Sequence, residues 1–161
     1  MPTSVEDGPS ARCAECGATW RDPEDACAAR FDRLLALDHS HREPWGSRHG
    51  LAFAVYAVQH PARFPATSRA AAVELLTAVY RRGEDRAWAV RRLRTAMADR
   101  KPASGTPDAS VPHPRDGFPV TIASLGTFEA ETYASALDAW CRATLATLAA
   151  LSALSALEAP R

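Results

Sequence analysis

The chain has 161 residues, zero formal net charge and a hydrophobic share of 47%, and 34 of its residues are alanine. Only nine residues are valine or isoleucine, against 48 alanines and leucines, so the composition excludes an all-β or parallel-sheet protein. The 19 basic and 19 acidic residues leave no excess of positive charge of the kind that proteins tracking nucleic-acid phosphates carry. We therefore expect an all-α protein whose lean core needs close helix packing, a metal or a partner.

Four helices are predicted in the first hundred residues, after a polar segment over residues 1–11 that we expect to be a mobile tail. The first helix follows the capping residue Asp22, begins at Pro23 and is expected to end near Leu37. The other three are expected over residues 49–59, from Thr67 or Ser68 to about Gly83, and from residue 84 to about residue 100.

A proline-rich, irregular loop is predicted over residues 101–120. A short helical turn is expected at residues 121–125, and Thr127 is the predicted cap of a last helix that runs to about Leu157. The pattern as a whole predicts one helical domain over residues 12–161, a compact bundle of about five helices.

The last predicted helix carries no charge over residues 143–157, and its leucines recur at every third position. At roughly 100° per residue this repeat drifts by about 60° per step, so no single neighbour can cover all the leucines. Either the helix is surrounded by its own bundle, or two chains associate through it. The uncharged run falls short of the roughly 18 residues that a membrane span needs, and the N-terminus lacks a signal-peptide pattern. We therefore expect no membrane association and a cytoplasmic location.

Three cysteines near the N-terminus have a spacing typical of a zinc site. Cys13 and Cys16 are separated by two residues and followed by Gly17, so both thiolates can face one ion across a tight turn. Cys27 lies at the start of the first predicted helix, where the helix dipole favours a thiolate. Cys141 is more than a hundred residues away. Cysteines in a cytosolic chain more often serve a metal or chemistry than disulfides, so we predict bound zinc in a knuckle-like cluster.

The fourth ligand is expected to be a histidine, and the candidates are His39, His41, His49 and His60. His49 and His60 bracket one predicted helix on nearly the same face, but they lie about 16 Å apart along its axis, so both cannot bind one ion. An antiparallel pairing of the first two helices favours His60, whereas the long loop between those helices also allows His49. One of the two is expected to complete a Cys3His site.

The segment HGLAFAVYAVQHP, residues 49–61, follows the CxxCG turn and a lone cysteine. This arrangement resembles a bacterial family of uncharacterised function, DUF5946, in which a helix with the pattern H-x-L-x-V-D-x-Y-x-x-Q-H-P follows the cysteines. The resemblance extends to the regions of Thr121 and Trp140 and so covers most of the chain. It implies a small helical protein with a metal site and no established activity.

Two features depart from the family pattern. Ala54 stands where the family has an aspartate, and Leu151 and Ser152 lie near the place where members often carry a histidine pair. A carboxylate and imidazoles beside a metal would supply the general base and the open-site ligands of a hydrolase. A Cys3His set fills all four positions around zinc, so its expected role is structural, coupling metal binding to folding.

A binding role is the first function that these features favour. We expect a non-catalytic, zinc-stabilised helical protein that binds a second copy through residues 143–157, or an acidic partner through the basic helix at residues 81–101. A nucleic-acid-associated regulator that uses the knuckle and the same arginines ranks last, because the chain is neutral and has no recognised reading motif.

A metal-dependent enzyme of the hydrolase type is the runner-up. In that case His49, Tyr56 and His60 would line a cavity beside an ion that keeps one open position. Tyr56 and Gln59 lie near the His60 face of the helix and are candidates for lining such a pocket. The alternative for Tyr56 is an ordinary buried side chain, and the sequence leaves open whether the protein is an enzyme.

Overall fold

The computed structural model describes residues 10–98 and 112–158, and this part of the chain is all-α, as predicted. Two two-residue strands, β1 (Ala11–Arg12) and β2 (Thr19–Trp20), pair antiparallel ahead of the helices. The helices are α1 (Cys27–His39), α2 (His49–Gln59), α3 (Ala66–Tyr80), α4 (Arg86–Ala98) and α5 (Ala130–Glu158).

Both predicted irregular segments lie partly outside the described residues. Ala11, assigned to the tail from sequence, pairs with Trp20 in the β-ladder and therefore belongs to the folded part. Residues 1–9 of the predicted tail and 101–111 of the predicted loop fall outside the described ranges. Within the rest of the loop, residues 112–120 contain no helix or strand.

The first predicted helix divides into two pieces. The Asp22 side chain accepts a hydrogen bond from the backbone N–H of Glu24, as expected of a cap, but the turn that it starts is a 3-10 turn over Pro23–Asp25. The extended ψ of 146° at Ala26 interrupts the chain, and α1 begins only at Cys27. Cys27 is therefore the first residue of α1, beside the backbone N–H groups of its first turn.

Helix α2 lies at the centre of the core, where it packs against α1, α3 and α5. Its apolar side chains are buried around most of its circumference, with Leu51, Val55 and Val58 at most 1% exposed. Ala52 and Ala57 are fully buried, and such short side chains let neighbouring helices approach closely. The alanine-rich composition thus allows close helix packing, which is one of the three ways of stabilising a lean core, beside a metal and a partner.

The starts of α3 and α5 differ from the predicted caps. The carbonyl of Pro65 accepts the N–H groups of Ser68 and Arg69, so α3 begins at Ala66 without a side-chain cap. Thr127 does not cap α5, because Phe128 adopts a left-handed φ of 64° and separates Thr127 from the helix.

Helix α5 changes from buried to exposed along its length. Leu145 and Leu148 are buried, whereas Leu154 is 57% and Leu157 is 82% exposed. Over Ala130–Leu157, α5 is also the one helix of the described residues that is long and apolar enough to cross a membrane. Its first half packs in the core of this fold, so the helix is surrounded by its own bundle only over its first turns, and association of two chains through the exposed last turns stays a prediction.

Candidate metal centre

The segment between β1 and β2 forms the knuckle predicted from the CxxCG sequence. The N–H of Cys13 donates to the carbonyl of Ala18 at 2.8 Å, and the N–H of Gly17 donates to the carbonyl of Cys13 at 3.0 Å. Gly17 has a φ of 82°, which only glycine adopts without strain. The N–H of Ala18 points to the sulfur of Cys16 at 3.5 Å. The turn therefore brings both sulfurs to the same side.

A second glycine turn supports the knuckle from a distant part of the chain. The N–H of Phe118 donates to the carbonyl of Cys16 at 2.9 Å. A Cβ on Gly117 would lie 2.7 Å from the Cys16 oxygen and 2.7 Å from the Gly17 Cα, so the two backbones touch and no larger residue fits. The Arg12 guanidinium donates to the carbonyl of Asp116 at 2.7 Å. These contacts fix the knuckle onto the helical body.

Four donor side chains converge where the knuckle meets α1 and α2. The sulfurs of Cys13, Cys16 and Cys27 and a ring nitrogen of His60 all lie within 4.8 Å of one another. The sulfurs of Cys16 and Cys27 are 3.4 Å apart. Thiolates around a tetrahedral zinc with bonds of about 2.3 Å would be separated by about 3.8 Å. The group could therefore hold a metal ion with only small adjustments.

His60 presents one ring nitrogen to the cysteines. Its Nδ1 lies 3.0 Å from the carbonyl of Tyr56, and because a carbonyl only accepts, Nδ1 carries the proton. Nε2 then holds a lone pair, and it is buried without a hydrogen-bond partner among the described residues. A buried lone pair without a partner is costly, and a metal ion would satisfy it. This arrangement, in which the other nitrogen donates to a carbonyl, is typical of metal-binding histidines.

Stacked rings hold the His60 imidazole in place. The ring of Tyr56 stacks on His60 with centroids 4.0 Å apart, and on its other face it stacks on Phe31 of α1 at 3.7 Å. Tyr56 and His60 are each 1% exposed. The Tyr56 hydroxyl titrates with a raised pKa because it is buried. The contact between α1 and α2 thereby sets the distance between Cys27 and His60.

Protonation in the cluster is uneven when no metal is present. The hydrogen bond from the Cys27 thiol lowers the pKa of Cys16 to about 4, against the opposing effect of burial. The same hydrogen bond, followed by burial and the charge of Cys16, raises the pKa of Cys27. One thiolate thus forms readily, whereas Cys27 keeps its proton until a cation compensates the negative charge.

The structure separates His49 from the cysteines. Its Nδ1 bonds the buried carboxylate of Asp38 at 3.0 Å, and the ring lies near His39 rather than near the knuckle. The cavity that His49 lines contains neither Tyr56 nor His60. The enzyme cavity predicted to be shared by these three side chains is not among the cavities described, and it stays a prediction. The fourth donor in the structure is His60, the alternative that helix pairing favoured.

Gln59 has a structural position. It is fully buried, and its side-chain amide donates to the carbonyl of Val120 at 2.8 Å and to the hydroxyl of Thr144 at 2.9 Å. It therefore joins α2 to the C-terminal part of the chain instead of lining a pocket with Tyr56.

Two contacts that hold the knuckle have no signal in the sequence. Glu15 accepts the N–H of Ala62 at 2.8 Å through its carboxylate, and its carbonyl is hydrogen-bonded to His113. His113 had no assigned role beyond the loop. No local pattern marks these residues, because each contact joins segments at least 47 positions apart.

Comparison with known proteins supports the resemblance seen in the sequence. The sequence model of a family of unknown function, DUF5946, matches residues 11–149. The chain belongs to DUF5946. The matched range contains all four donor residues of the candidate metal site. No curated protein and no solved structure gave a significant match. Of the family string at residues 49–61, His60 joins the cluster, whereas His49 and Ala54 line a separate cavity.

Proposed function

We propose that the four-donor cluster binds a structural zinc ion and that this DUF5946 protein acts without catalysis, by binding a partner. The single observation that carries the proposal is the Nε2 of His60, which is buried beside three cysteine sulfurs and has no hydrogen-bond partner within the described part of the chain. Three thiolates and one imidazole suit zinc, which prefers sulfur and nitrogen donors in a tetrahedron. Hard cations such as Mg²⁺ and Ca²⁺ take oxygen donors, which this cluster lacks.

A structural role follows from the number and burial of the donors. Four protein ligands complete the coordination of zinc and leave no position for water or substrate. Cys16, Cys27 and His60 are each at most 4% exposed, so the ion would lie inside the fold rather than on a cleft. Such a centre would link three segments, the knuckle, the start of α1 and the end of α2. Its binding energy adds to the free energy of folding.

Self-association through the end of α5 is the binding mode that we favour. Leu154 and Leu157 are exposed on an uncharged stretch, and burying leucine side chains is worth roughly 1.5–3 kcal/mol each. A second copy offers the same uncharged surface in a symmetric pairing. The basic helix favours an acidic partner less, because Arg82 and Arg92 already pair with Glu84.

Metal analysis tests the proposal with a matched pair of histidine variants. Purified protein is expected to contain about one zinc per chain. His60→Ala is expected to lose the zinc, whereas His49→Ala, at the other end of the same helix, is expected to retain it. Wild-type protein that contains no zinc after expression with added zinc would overturn the assignment. Equal zinc content in the two variants would remove His60 from the ligand set.

Light scattering after size-exclusion chromatography tests the binding mode. Wild-type protein is expected to elute as a dimer or larger species, and Leu154→Glu with Leu157→Glu to elute as a monomer. Ser152→Glu adds a charge to the same exposed turns without removing a leucine and serves as the control. A monomeric wild-type protein at high concentration contradicts self-association and leaves the zinc assignment unaffected.

A further inference from the structure

A cavity of about 170 Å³ lies between α2, α3 and α4, at the His49 end of α2, whereas the cysteine cluster lies at the His60 end. Its walls include four small residues, Gly50, Ala54, Ala71 and Ala72. A Cβ on Gly50 would lie 2.9 Å from a methyl group of Val90, so α4 approaches α2 closely at this level. Next to this contact the short side chains of the alanines leave the space between the helices unfilled.

Helix α4 covers this cavity with few buried side chains. Of its side chains that the structure describes, only Ala89 is buried, while Val90 and Leu93 are half-buried and face the cavity. A second cavity of about 260 Å³ lies on the other side of Leu93 and shares Ala71 and Leu75 with the first. The layer beneath α4 therefore has room for a molecule that the protein itself does not fill.

A histidine with a fixed orientation lies at one end of the cavity. Asp38, whose side chain is fully buried, accepts a hydrogen bond from Nδ1 of His49 at 3.0 Å. A carboxylate only accepts, so Nδ1 carries the proton and Nε2 is the nitrogen left for another partner. The His49 side chain is 29% exposed and lines the cavity. This is the carboxylate–histidine pairing by which proteins orient a ring for hydrogen bonding or proton transfer.

Arg94 also lines the cavity, one helical turn after Val90 on α4. Arg94 follows Val90 by four residues, which is about 6 Å along α4. Arg94 makes no ion pair with any residue in the described ranges 10–98 and 112–158, whereas Arg82 and Arg92 on the same surface pair with Glu74 and Glu84. The cavity is thus lined both by a cation that forms no ion pair within the described residues and by an oriented imidazole.

We propose that this cavity binds a small amphipathic carboxylate, with its carboxylate at Arg94, its apolar body between the alanines and a hydroxyl group donating to Nε2 of His49. The size follows from the volume, since an apolar cavity of about 150 Å³ holds a benzene-sized molecule. This site is separate from the zinc centre and goes beyond the proposed structural role.

Calorimetry with 4-hydroxybenzoate on the full chain tests the proposal. Saturable binding to one site is expected, and benzoate, which lacks the hydroxyl, is expected to bind about tenfold more weakly. In His49→Ala the two compounds are expected to bind alike. Arg94→Met is expected to weaken binding about tenfold or more, whereas Arg91→Met, an exposed arginine of the same helix outside the cavity, is expected to leave it unchanged.

A cavity-filling variant separates this site from surface binding. Ala71→Leu places three more carbon atoms in the cavity, so binding is expected to disappear while the thermal unfolding temperature stays the same or rises. Binding that survives in Ala71→Leu overturns the proposal, and so does an equal loss in Arg94→Met and Arg91→Met. Absence of saturable binding to wild-type protein at millimolar concentration overturns it as well. None of these results depends on zinc content, which is measured on the same samples.

Discussion

Replacing Cys16 with alanine isolates the contribution of the metal when it is compared with the same change at Cys141. Both side chains are 0% exposed, and both residues belong to the buried core. The two variants therefore lose the same sulfur atom from an equally buried position. Cys16 belongs to the four-donor cluster, whereas Cys141 lies within α5 and outside it. The difference in stability between the variants measures what coordination adds.

The expected magnitudes differ by about an order of magnitude. Removing one buried sulfur costs about 1 kcal/mol, which lowers the unfolding temperature of a chain of this length by about 2–4 °C. That is the expected result for Cys141→Ala. Cys16→Ala also loses a zinc ligand, and structural zinc contributes on the order of 10 kcal/mol in isolated zinc domains. Because whole domains are stable by only about 5–15 kcal/mol, Cys16→Ala is expected to be largely unfolded.

Circular dichroism during heating, with and without a zinc chelator, checks these values. Wild-type protein and Cys141→Ala are expected to lose their cooperative transition when the chelator is added. Cys16→Ala is expected to behave alike in both conditions, since it has no coordinated ion to lose. A Cys16→Ala variant that is folded and melts within a few degrees of Cys141→Ala would refute the structural role.

Two further predictions concern the support and the protonation of the cluster. Gly117→Ala is expected to weaken zinc binding at least tenfold in a competition titration, because the added Cβ would overlap the backbone at Cys16 and Gly17. Gly83 also has a positive φ, of 69°, but has open space around it, so Gly83→Ala is expected to leave zinc affinity unchanged. Zinc binding near pH 7 is expected to release protons, because the raised pKa of Cys27 keeps its thiol protonated in the metal-free cluster. Since zinc and protons then compete for the same sulfur, zinc affinity is expected to fall as the pH is lowered. Calorimetry in two buffers of different ionisation enthalpy counts the protons, and a count of zero contradicts the protonation scheme.

The parts of the fold that local patterns determine were predictable from sequence. Helix α2 has the expected bounds, His49–Gln59, because its apolar run is followed by Pro61 and Pro65, and proline interrupts a helix. The CxxCG turn was predictable because two cysteines and a glycine suffice to specify it. The choice of His60 required only the direction in which α2 packs on α1.

Contacts between distant segments were not predictable. The approach of Gly117 to Gly17 depends on how residues 112–120 cross the knuckle, and neither glycine marks the other in the sequence. Helix α5 was expected to start directly after Thr127, but it begins at Ala130, because Phe128 is buried in a left-handed turn and its carbonyl accepts the indole N–H of Trp45. Tertiary packing overrides local propensity at both places.

Two features of the structure compensate for the lean apolar composition. Buried alanines on α2 and α3 let the helices pack closely, as at Ala57 and Ala78, which are fully buried. The four-donor cluster then connects the N-terminal knuckle, which has few apolar side chains of its own, to this core. Among the described residues, the most exposed of the large hydrophobic side chains are Leu154 and Leu157, at the end of α5.

X-ray absorption at the zinc edge of the purified protein tests the central claim most directly, because it reports the ligand atoms themselves. Three sulfur atoms at about 2.3 Å and one nitrogen at about 2.0–2.1 Å, with no further oxygen, are the expected shell. A shell with fewer than three sulfurs, or one that contains an oxygen from water, would contradict a closed structural centre formed by Cys13, Cys16, Cys27 and His60.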